Sequence, residues 1–112
     1  MDKFRILSID FELEEVDRLR DTENVKSLNG HIVFDEPKIR IDAGLEKQNA
    51  YEVLWHEVLH GIFTLSMPDI EVDENSTDRL AHAICQVMRD NKKILDKYYP
   101  WKNDKANSRT DQ

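Results

Sequence analysis

Cysteine is nearly missing from this chain: Cys85 is the only one in 112 residues. A lone thiol excludes an internal disulfide framework and fits a reducing compartment. Long apolar runs are missing as well, and none approaches the ~20 residues that a membrane span requires. Basic side chains are in deficit, with 16 Lys and Arg against 23 Asp and Glu, a formal charge of −7 and a pI near 5.0. Nucleic-acid binding needs a dense basic face to displace counterions from phosphates. The scattered Lys92, Lys93, Lys97, Lys102, Lys105 and Arg109 read instead as a solvated helix end and tail. The opening Met1-Asp2-Lys3-Phe4 resembles neither a secretory signal nor an Arg-rich transit peptide. Internal repeats and low-complexity blocks are lacking too. The expectation is a cytoplasmic protein with no nucleic-acid and no membrane partner, its oligomeric state left open.

What is present suffices for one modest core. At 112 residues the chain is one domain, and 39% apolar with 35% charged residues is polar but within the range that folds. Leu7, Ile9, Phe11 and Leu13 alternate with Ser8, Asp10 and Glu12, the period of a half-buried strand. The acidic stretch from Glu14 to Ser27 is compatible with a short helix through Val16, Leu19 and Arg20 or with a plain connection. Asn29-Gly30, where both residues tolerate positive φ, signals a turn ahead of a His31–Phe34 strand. Asp35-Glu36-Pro37 then separates it from Lys38–Asp42, in which Ile39 and Ile41 face one way, giving two short antiparallel strands.

From about Glu46 the apolar period changes to 3.6, with Leu54, Val58, Ile62 and Leu65 in a stripe flanked by Trp55 and Leu59. This helix is expected to stop before Pro68. A second is expected from near Asp73 to near Asn91, burying Leu80, Ile84, Val87 and Met88, with acidic residues in its first turn facing the helix dipole. A further helical turn would return Ile94, Leu95, Tyr98 and Tyr99 to the core before Pro100. Residues 1–100 would form the domain and 101–112 a polar, disordered tail. Cys85 reads as a small apolar side chain, Trp55 as core and Trp101 as edge packing. Gly61 would let the second helix or the link approach closely.

Inside the first helix, "YEVLWHEVLHGIF" places His56 and His60 four residues apart. Residues i and i+4 stand one above the other, so both imidazoles can meet a single zinc ion. Glu57 lies about 100° around the helix from His56, beside such an ion. Zinc lowers the pKa of its water from ~15.7 to about 7, a carboxylate takes the proton as water attacks a carbonyl, and the metal holds the developing oxyanion. Glu57 would be that base. A chance His-Glu-x-x-His arises about once in a hundred shuffles of 4 histidines and 10 glutamates; it would then be only a hydrogen-bonded polar patch.

A catalytic zinc needs a third protein ligand and one open position. Glu74 is the favoured third ligand because Asp78 follows four residues later, where its carboxylate can hold the other ring nitrogen of a ligand histidine. Glu71, Asp73 and His82 are the rivals.

"HEVLHGIF" followed by "ENSTDRLAHAICQVMRDN" resembles the zincin metallopeptidases, in their gluzincin arrangement with a glutamate ligand on a second helix and an aspartate four positions on. The pattern over roughly residues 30 to 92 is most similar to very small zincin-like proteins of phages and other mobile elements, related to the ImmA/IrrE metallopeptidases. The resemblance implies an α+β minimal-zincin domain: a short, mostly antiparallel sheet of about three strands packed on a zinc helix and a second, ligand-bearing helix. It implies Zn2+ on His56, His60 and Glu74, Glu57 as base, Asp78 behind a ligand, and Lys38–Asp42 as the edge along which an extended peptide lies. Where ImmA/IrrE proteins usually show Glu-Ala and Phe-Ala pairs in the second helix, this chain reads "ENSTDRLA". Candidate oxyanion donors are Tyr98, Tyr99, His31, His82 and Arg40.

Three functions follow as expectations. The first is a zinc metallopeptidase acting on an intracellular protein or peptide. The second is a non-catalytic, zinc-stabilised protein-binding module of phage or prophage origin. The third is a metal-free interaction domain.

Overall fold

A computed structural model describes residues 2–19 and 29–101. It is an α+β fold in the order β1 (Lys3–Ile6), β2 (Ile9–Val16), β3 (Gly30–Val33), β4 (Lys38–Asp42), α1 (Lys47–Ser66), α2 (Glu74–Asp90) and α3 (Lys92–Tyr98). The four strands form one sheet in the order β1-β2-β4-β3. β1 with β2 and β3 with β4 are antiparallel pairs, and the parallel β2–β4 pair joins the two hairpins.

The expected first strand is two strands. The chain turns at Leu7-Ser8, so Ile6 faces Ile9 and Phe4 faces Phe11 across the hairpin. Leu7 sits in the turn with φ 55° and is 59% exposed. A two-residue turn preserves the pleat on each arm but leaves its own side chains outside it, which alternation along one chain does not reveal. The inward face carries Ile6, Phe11, Ile39 and Ile41, and Val58 of α1 completes the buried core. Trp55 packs against it as expected.

On the outward face Arg40 donates to Glu14 at 2.9 Å across the parallel pair, and its Nη1 donates to His31 Nε2 at 3.0 Å. Lys38 adds a contact to Glu14 at 3.7 Å. This face is polar and self-paired, and the helices among the described residues pack on the other.

α1 ends one residue before Met67, whose N–H closes the last turn on the Phe63 carbonyl at 2.9 Å. Pro68 then prevents continuation. Gly61 meets the sheet and not the second helix: a Cβ there would stand 2.7 Å from Ile6 Cδ1 and 3.2 Å from Ile32 Cδ1. Gly30 lacks the positive φ expected of a turn glycine. It begins β3, where an added Cβ would stand 2.6 Å from Val53 Cγ1 and 3.1 Å from the Arg40 carbonyl oxygen. The glycine is required by a close strand–helix approach.

α2 lies on α1 through Thr77, Ala81 and Cys85, one small residue per turn. Leu80 and Val87, expected inside, are exposed. The small stripe brings two helices together at short range and turns the larger stripe beside it outward. α3 packs on α2 alone and buries none of its residues, so Ile94, Leu95, Tyr98 and Tyr99 do not return to the core. Among the described residues no helix is long and apolar enough to cross a membrane. Most of the undecided acidic stretch and the expected tail beyond Trp101 lie outside the described residues.

Candidate metal centre

The spacing on two helices builds the site. Glu52, His56 and His60 follow at four-residue intervals on α1, and Glu74, Asp78 and His82 do the same on α2, so each set forms one stripe. The helices meet stripe to stripe in opposite directions: His60 opposes Glu74, His56 lies between Glu74 and Asp78, and Glu52 opposes His82.

At the centre, His56 Nε2 is 2.8 Å from Glu74 Oε1, His60 Nε2 is 3.1 Å from Glu74 Oε2, and the two Nε2 atoms are 3.1 Å apart. His56, His60 and Glu74 are thus close enough to hold a metal ion. Glu74 meets the two rings with different oxygens, and one ligand atom from each of the three residues lies within 4.8 Å of the others, a spread that small side-chain rotations bring to the ~3.3–3.4 Å edge of a tetrahedron with metal–ligand bonds of about 2.0–2.1 Å. Two ring nitrogens pointing at one spot repel unless a proton or a cation lies between them, and two imidazoles with one carboxylate suit zinc. The residues present fit the group.

Behind His56, Nδ1 is 2.8 Å from Asp78 Oδ1, a contact with the length of a hydrogen bond but not its angles. The pair aligns a carboxylate with the back of a ring whose front nitrogen belongs to the cluster. Burial alone pushes Glu74 up, but the neighbouring His60 and His56 imidazoles outweigh it and hold the carboxyl below its ordinary range, in the ionised form a ligand requires.

Glu57 lies beside the two rings on the flank of α1 that meets β3, lines the same cleft, and is only 7% exposed. Burial raises its pKa to about 7, opposed by His56 and reinforced by the negative charges of Glu74 and Asp78. Gly30 explains its setting, since an added Cβ would lie 3.4 Å from Glu57 Cγ. The strand rests directly against the carboxylate side chain.

The rivals for third ligand do not enter the cluster. Asp73 caps α2, its Oδ1 accepting the Ser76 N–H at 2.6 Å, a bond that also lowers its pKa. His82 Nδ1 is held by both oxygens of Glu52, at 3.2 and 3.1 Å. Glu71 is exposed on the link ahead of α2.

A cleft of about 810 Å³ opens over the cluster, lined by Gly30, His31 and Ile32 of β3, by Asn49 and Thr64 of α1, and by the metal-centre residues. Here the expected peptide edge is corrected. Lys38–Asp42 lies between β2 and β3, and among the described residues the edge strand beside the cleft is β3. A hairpin places either arm outermost, and only the pairing of β4 with the distant β2 decides which.

Of the five candidate oxyanion donors, only His31 lines the cleft among the described residues. Its Nε2 is occupied by Arg40, and burial with that guanidinium lowers its pKa. Glu52 and Gly30 were not singled out by residue chemistry. Glu52 was findable as the residue four before His56; nothing local marks Gly30 as a packing position. Compared with known proteins, the chain matches no family model, no curated protein and no solved structure.

Proposed function

We propose that the protein is a zinc-dependent metallopeptidase that hydrolyses a peptide bond of a protein or peptide substrate, with Glu57 as general base. One observation carries this reading: a buried carboxylate with a pKa near 7 adjoins a two-histidine, one-glutamate triangle on the floor of a cleft bordered by strand β3. His56, His60 and Glu74 would hold the ion, and Asp78, 2.8 Å from His56 Nδ1, would accept its proton after a small rotation that brings the angle into line, leaving Nε2 to present its lone pair. A zinc ion held there would act as a Lewis acid, raising the acidity of water and polarising the carbonyl.

The chain's own residues supply the rest. Glu57 takes one proton from the attacking water as the new C–O bond forms and delivers it to the amide nitrogen as the C–N bond breaks; the second water proton passes from the new carboxyl group to the leaving amine, giving a carboxylate and an ammonium. A base with a pKa near the working pH does both halves of that transfer efficiently. β3, the edge strand beside the cleft among the described residues, would take an extended substrate by strand addition and hold it across the cleft. The resemblance to zincin-like proteins of phages and prophages supports an intracellular substrate.

A second reading, a non-catalytic zinc-stabilised binding module, is favoured by the small-residue contact between α1 and α2, which an ion shared by His56, His60 and Glu74 would reinforce. One experiment separates the two. Purified protein is assayed for zinc and for cleavage of a peptide library, beside Glu57→Gln. Cleavage by the wild type alone, with zinc in both proteins, supports the peptidase; zinc in both without cleavage by either supports the module.

A further inference from the structure

Packing alone does not fix how far α2 stands along α1. Thr77, Ala81 and Cys85 recur every four residues, so a shift by one turn sets one small side chain in the place of another. α2 touches α1 and α3 but no strand among the described residues, so nothing else holds it. The polar stripes beside the contact repeat at the same interval, with Glu52 against His82, His56 against Asp78 and His60 against Glu74. Glu74 reaches both rings, and so does not choose between neighbouring registers.

We propose that Glu52 and His82 are positioning residues: their pair holds α2 in the register at which Glu74, and not Asp78, is the third ligand of the metal centre proposed above, a reading on which this assignment rests. The geometry of the alternatives carries it. Slipped one turn in one direction, Glu52 faces Asp78, two carboxylates in opposition, and His82 loses its partner. Slipped in the other, Asp78 moves beside His60 in the place of Glu74, His82 meets His56, and Glu52 faces Gln86. Only the observed register pairs Glu52 with His82.

The pair is also placed to act before an ion arrives. Among the described residues it is the one polar side-chain contact between α1 and α2 outside His56, His60, Glu74 and Asp78, with Nδ1 of His82 3.2 and 3.1 Å from the two Glu52 oxygens. The centre itself is a poor gauge when empty, because two Nε2 atoms 3.1 Å apart oppose each other and the His56–Asp78 contact lacks hydrogen-bond angles. With side chains 69% and 29% exposed, His82 and Glu52 add little to stability. A polar pair on a helix seam can nevertheless specify register.

Zinc affinity of the full chain, measured by competition with a chromophoric chelator beside the melting temperature of each metal-free protein, tests this. His82→Ala and Glu52→Ala should each weaken zinc binding about two- to fivefold, and the double variant should be no weaker than the singles, since each removes the same contact. His82→Asn, whose Nδ2 stands as many bonds from the backbone as the lost Nδ1, should recover most of the affinity. His82→Ala separates register from plain charge: it leaves the Glu52 carboxylate in place, so a charge effect alone would leave zinc binding unchanged or strengthen it. Wild-type affinity in His82→Ala, with only the metal-free melting temperature lowered, overturns the assignment and leaves the metal centre standing. A wild type that takes up no zinc overturns both.

Discussion

At the scale of single residues, the burial of Glu57, the proposed base, gives it a thermodynamic signature. Its pKa rises from 4.5 to about 7 on folding, chiefly because a carboxylate loses hydration where β3 rests on α1. A raised pKa means that the folded state binds the proton more tightly than the unfolded chain. The associated stabilisation is complete below pH 4.5 and disappears as the pH rises through 7, with an amplitude on the order of 3 kcal/mol in metal-free protein. Glu14, Asp73, Glu74 and Asp90 have lowered values and act in the opposite sense on acidification, so the difference between wild type and Glu57→Gln isolates the effect. Urea unfolding of the metal-free proteins from pH 4.5 to 8 should show Glu57→Gln gaining relative to wild type as pH rises. A constant difference would remove the burial argument.

The same substitution should lower peptide cleavage by about 10²–10⁴, the usual contribution of a positioned base, with zinc content unchanged. Equal turnover would remove Glu57 from the mechanism. Gly30 is open to a separate test. Gly30→Ala places a Cβ against Val53 and the Arg40 carbonyl, and should cost about 1–3 kcal/mol by overpacking. Val53→Ala in the same chain removes the closest contact and should recover part of that loss, a coupling that a thermal double-mutant cycle measures.

Among the elements, those with a strong local period were legible from the sequence. α1 declares itself by its apolar stripe and by Pro68, and α2 by the Asp73 cap and its acidic first turn. β4 declares itself by Ile39 and Ile41, which are both buried. Failures occurred where an element's neighbour decides its exposure. Leu80 and Val87 have the size and spacing of core residues, yet Thr77, Ala81 and Cys85 face α1 because a close helix contact admits only small side chains. Ala81→Leu should therefore destabilise the protein by about 1–3 kcal/mol while Leu80→Ala costs less, reversing the order a hydrophobicity scale gives. Thermal unfolding of the two variants decides the point. The histidine pair was legible because one helix carries both rings; the position of β3 at the edge was not, because it depends on β2 pairing with β4 between residues 26 positions apart.

For the molecule as a whole, α2 and α3 reach the sheet only through α1, and the seam between α1 and α2 is where the candidate ligands converge. An ion shared across that seam would join the two parts of the fold. At a thousandfold excess over its dissociation constant such an ion adds about 4 kcal/mol, so chelation should lower the melting temperature by more than roughly 10 °C. A melting curve indifferent to chelator would leave the seam held by packing and hydrogen bonds alone.

On this reading one ion is bound by two rings of one helix and a carboxylate of the next. Zinc stoichiometry by mass spectrometry, measured on wild type, His60→Ala, Glu74→Ala and Glu57→Gln purified in parallel, tests it most directly. The expected result is one zinc per chain in wild type and Glu57→Gln, and loss of bound zinc in the other two. Metal-free wild type under zinc-replete conditions, or zinc retained at full occupancy in both His60→Ala and Glu74→Ala, would contradict the account.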